Sequence, residues 1–82
     1  MTVLLKKTLV KDRAYAAHDV DQPRAGVLAV ALRTPTGWMV AKDGGRVVAE
    51  RLDQRRATAL MLATAREVAV RRSRRLLLGG AA

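Results

Sequence analysis

Apolar positions repeat with two different periods along this chain, and the change falls near Asp53. Before it, apolar residues come in short runs. Residues 2–10, TVLLKKTLV, alternate imperfectly, with Val3, Leu5 and Leu9 on one side and Leu4 and Val10 on the other. The run predicts a strand, with a short helix as the alternative. Lys11-Asp12-Arg13 suits a turn, and residues 14–20 suit a second short strand. Residues 19–26, DVDQPRAG, have the Asp, Pro and Gly of a connection. Residues 1–25 therefore read as an N-terminal strand or arm.

Beyond Gly26 the signals sharpen. GVLAVALR is an apolar run of strand length that stops at Thr34-Pro35-Thr36-Gly37. Pro35 pre-sets a turn φ, and Gly37 can take a positive φ. WMVAK, Asp43-Gly44-Gly45 and RVVAER then read as a hairpin. With Asp43-Gly44 as a two-residue loop, Val40 faces Val47 and Trp38 faces Ala49. Those four share one side of the sheet, and Met39, Ala41 and Val48 lie on the other.

After Asp53 the period becomes helical. The Asp53 carboxylate can cap first-turn N–H groups. QRRATALMLATAREVAVRR has no Gly or Pro. Ala57, Leu60, Met61, Ala65, Val68 and Ala69 follow helical spacing. Glu67 precedes Arg71 by one turn, the favourable order for an ion pair. The helix either ends near Ser73, leaving RLLLGG as a last strand, or runs on to Gly79. The expected fold is α+β: a small antiparallel sheet of three to four strands with one main helix on one face, in a single domain over residues 1–82. Apolar residues on both sides of so small a sheet point to a homodimer through Met39, Ala41 and Val48.

Composition narrows the function. The 82 residues include no Phe and no Cys, one Trp and one Tyr, so the core is small and thiol chemistry is excluded. No run reaches the ~18 apolar residues of a membrane span, and Lys6-Lys7 break the first one; a cytoplasmic protein off the membrane is expected. His18 and Ser73 are the only His and Ser, with no sign of an activated nucleophile. The carboxylates are scattered, and Gly44-Gly45 lacks the Lys-Ser/Thr of a phosphate loop. Neither an enzyme nor a metal or cofactor is expected.

A net charge of +9 draws polyanions, nucleic acid first. Arg71, Arg72, Arg74 and Arg75 fall where a negative helix end would favour cations. Arg51, Arg55 and Arg56 fall at the helix start, where positive charge is unfavourable, so another use is implied. Lys42 and Arg46 beside the hairpin extend that group along one sheet edge.

The stretch GWMVAKDGGRVVAERLD…AREVAVRR…LLLGG resembles a family of short, uncharacterised bacterial domains with Gly-Trp-x-Val, a Gly-containing hairpin and an Ala-rich helix. Gly37, Trp38 and Val40 match the start, and residues 65–69 match the helix. The strand–hairpin–helix order is also similar to the arm-type DNA-binding domains of phage integrases. That likeness implies a sheet entering the major groove. The combined reading is a small accessory or regulatory protein, of phage or other mobile-element type, gripping duplex DNA through arginine–phosphate contacts. The alternative is an interaction module docking on an acidic partner protein.

Overall fold

A computed structural model describes residues 5–9, 14–22, 24 and 26–79, with Asp43 and 73–79 described by backbone alone. The strands are β1 (Leu5–Leu9), β2 (Ala14–Asp19), β3 (Val27–Thr34), β4 (Gly37–Lys42) and β5 (Arg46–Leu52), followed by helix α1 (Gln54–Gly79). They form one five-stranded antiparallel sheet in the order β1-β2-β3-β4-β5. Sequential neighbours pair because each connection is short. The α+β class stands, but residues 5–19 are the first two strands of the sheet rather than an arm. Expectations for Val3, Leu4, Val10, Lys11-Asp12-Arg13, Pro23 and Gly80 lie outside the described residues.

Pairing stacks side chains in rows across the sheet, because directly opposite residues share a face. One row runs Leu9–Tyr15–Ala31–Val40–Ala49, and a second joins Ala17 to Ala29. Helix α1 covers this side. Its positions Ala57, Met61, Ala65 and Ala69 form one core with Ala17, Ala29, Ala31 and Val40. Alanine on both surfaces lets the helix approach the sheet closely. The consequence is a core with few large groups: Leu28, Met61 and Val40 are the largest fully buried side chains. Each contributes on the order of 1.5–3 kcal/mol by leaving water. Leu28 enters that core as the extra residue of a bulge opposite Ala17/His18.

Two turns depart from their expected detail. Thr34 pairs with Gly37, and the Thr34 hydroxyl donates to the Gly37 carbonyl at 2.9 Å. Gly37 has φ of 136°, and a Cβ there would lie 3.0 Å from the Leu52 carbonyl oxygen. Glycine is needed for both reasons. At the hairpin the loop is three residues, Asp43–Gly45, with Gly44 and Gly45 at φ 84° and 79°. Lys42 therefore faces Arg46, Ala41 faces Val47, Val40 faces Ala49 and Trp38 faces Leu52. The expected Val40–Val47 and Trp38–Ala49 pairs do not form, because the longer loop and two bulges in β5 shift the register.

The cap forms as expected. The Arg56 N–H donates to Asp53 Oδ1 at 2.7 Å, and the Ala57 N–H to the Asp53 carbonyl at 2.9 Å. Helix α1 then continues to Gly79, so RLLLG belongs to the helix and not to a strand.

Candidate nucleic-acid interface

The helix start lies at the sheet end that also holds the β3–β4 turn. Gln54 Nε2 donates to the Tyr15 hydroxyl at 3.0 Å, and Tyr15 stacks on Trp38 with ring centroids 5.7 Å apart. Lys7 Nζ sits 4.9 Å from the centre of the Tyr15 ring. Trp38 packs against the core beside Leu52, so it anchors this end of the sheet and is not an open stacking platform.

Four arginines gather around that anchor. Arg33 lies directly across from Trp38, and Trp38 across from Leu52, which puts Arg33 two strands from the residues that lead into α1. Arg51 precedes Leu52, and Arg55 and Arg56 occupy the first turn of the helix. All four are exposed. Arg56 Nε lies 3.7 Å from Asp53 Oδ2, an open surface pair of small energetic weight. Arg33, Arg51 and Arg55 form no ion pair among the described residues.

Arg51 has φ of 58°, and among the described residues no other non-glycine has a positive φ. Left-handed backbone costs a residue with Cβ about 1–2 kcal/mol. The cause is the bulge between the Trp38 and Val40 pairs, which inserts residues of β5 against Gly37. Strain at an exposed charged residue is the kind that collects at functional sites.

The remaining basic residues are elsewhere. Lys42 and Arg46 pair at the hairpin, about 16 Å along β5 from Arg51. They do not extend the helix-start cluster, contrary to the single basic edge expected. Arg71, Arg72, Arg74 and Arg75 lie at least about 22 Å along the helix from Arg56. The Glu67 carboxylate accepts from Arg71 at 2.8 Å, as the spacing predicted. Because α1 continues to Gly79, its last turn holds no basic residue. The dipole effect fades within one turn, so it does not account for these four arginines.

Arg33 and Arg66 were not singled out by the sequence. Arg33 stood in an apolar run, and only strand register brings it to Arg51. Arg66 is exposed on α1, three turns beyond Arg55 on nearly the same line. Among the described residues no three His, Asp or Glu side chains gather to hold a metal ion, and no helix is long and apolar enough to cross a membrane. Set against protein-family models, curated proteins and solved structures, the chain matches none of them.

Proposed function

We propose that this chain binds duplex DNA through its phosphates, in an accessory or regulatory role, with Arg33, Arg51, Arg55 and Arg56 as the primary contact. The observation that carries the reading is the convergence of these exposed arginines at one end of a chain of net charge +9. Guanidinium groups pair with phosphate oxygens through two parallel N–H···O bonds. Asp53 already accepts from the Arg56 N–H at the helix start, so the grip rests on side chains and not on free helix N–H groups. Arg71, Arg72, Arg74 and Arg75 form a second contact further along α1, and Lys42 with Arg46 a third. Phosphate contact positions a protein on DNA without reading sequence, so the reading implies tolerance of many sequences.

Fluorescence anisotropy of a labelled random duplex tests it. If three phosphates are neutralised, affinity falls about fortyfold between about 50 and 200 mM salt. Reversing Arg51 and Arg55 to Glu is expected to weaken binding more than reversing Lys42 and Arg46. No binding at the lower salt sinks the proposal, and tighter binding to duplex RNA moves it to another nucleic acid. Arg51→Asn separates strain from contact. Asn tolerates the left-handed backbone, so thermal stability is expected to hold within about 0.5 kcal/mol while affinity drops.

The rival, docking on an acidic protein, has the uncovered face of the sheet in its favour. There Met39 and Ala41 share a side with Leu32 and Val30. That face carries Lys6 and His18 at the β1–β2 side, and its β3–β5 rows carry only Glu50 and Arg51, opposite in sign, across from Met39. An acidic partner would find little to pair with there.

A further inference from the structure

The face of the sheet turned away from α1 holds a row that crosses all five strands: Thr8, Ala16, Val30, Ala41 and Val47. Beside it runs the row Ala14–Leu32–Met39. The bulge in β5 sets Val48 next to Val47 opposite Ala41, and these two valines are 42% and 46% exposed. An antiparallel sheet with one wet face normally alternates apolar and polar positions. Here the central outward positions Val30, Leu32, Met39, Ala41, Val47 and Val48 are all apolar, and charge enters β5 on this side only at Glu50 and Arg51, opposite Met39.

We propose that this face packs against the same face of a second copy of the chain, giving a helix–sheet–sheet–helix sandwich. Three observations favour a second copy. The first is charge. A chain of net charge +9 repels itself, but the β3–β5 part of this face carries charge only at Glu50 and Arg51, which lie opposite Met39 and cancel in sign, so two copies meet there without opposing net like charge. Arg55, Arg56, Arg66 and Arg71, on the helix across the sheet, remain outside. The second is area. A five-stranded face is about 20 Å wide and about 20 Å long, or roughly 400 Å² in projection. Two such faces with their side-chain relief bury on the order of 1,000 Å², the lower bound for a specific interface. The third is the small size of the core under α1, where alanine predominates. Closing the second face adds the larger side chains Val30, Leu32, Met39 and Val47 to the buried set. This inference does not rest on nucleic-acid binding.

Sedimentation equilibrium of the full chain, without nucleic acid, over about 1–500 µM tests it. The expected mass is twice the 8.9 kDa of one chain. Val47→Lys is expected to weaken association at least about a hundredfold with an unchanged circular dichroism spectrum. Val48→Lys supplies the same reading if Val47→Lys alters the fold. Ala59→Lys, at an exposed position of α1, is expected to leave the dimer intact. An 8.9 kDa species at every concentration overturns the proposal. So does a dimer that survives both valine substitutions, or one that Ala59→Lys breaks equally.

Discussion

The two faces of the sheet follow the same alternation but are built from different side chains. Under α1 the inward positions at the centre of β2 and β3 are Ala17, Ala29 and Ala31, all essentially without exposure, with Tyr15 and Trp38 toward the helix start. On the far side β3 presents Val30 and Leu32, with Met39 of β4 and Val47 of β5 beside them. Small residues stand where a helix backbone comes close, and larger ones where none of the described residues fills the space. In β3 the larger apolar side chains Val30 and Leu32 are thus on the uncovered side. An apolar surface of that kind is costly to leave in water.

That contrast sets how much a substitution should matter. Met61→Ala removes a long side chain that the helix buries fully, and is expected to cost about 2–5 kcal/mol in chemical denaturation. Enlargement probes the faces directly. Ala31→Leu forces atoms between sheet and helix and should cost about 1–3 kcal/mol. Ala41→Leu, on the open face, should cost clearly less in dilute solution; equal losses would mean that the faces are equally filled. Asp53→Ala removes the helix cap and is expected to lower stability by about 1 kcal/mol. Val48→Thr on the open face should change the dilute protein by no more than about 0.5 kcal/mol.

Local chemistry was readable where neighbours in sequence decide it. Asp53 caps α1 because its carboxylate reaches N–H groups two to three residues on, whatever the rest of the chain does. The stripe Ala57–Met61–Ala65–Ala69 is buried because helical geometry puts every fourth residue on one side. Hairpin register was not readable. Asp-Gly signals a turn but not whether Gly45 joins it, and one added residue moves Val47 from the inward to the outward face. The two N-terminal strands were readable as runs, but not that they join the sheet, because Lys6 and Lys7 interrupt an alternation that pairing with β2 then enforces.

The candidate interface divides in the same way. Arg55 and Arg56 are adjacent in the chain and share the helix start by necessity. Arg33 is eighteen residues before Arg51, and only the path from β3 through β4 to β5 brings them to one end. The chain alone determined the charge, the helix with its cap and stripe, and the turn positions, since each depends on contacts a few residues apart. Register, the two bulges of β5, the left-handed Arg51 and the choice of covered face were decided by tertiary structure. Each depends on strands meeting across the sheet, where one residue of slip exchanges inside for outside.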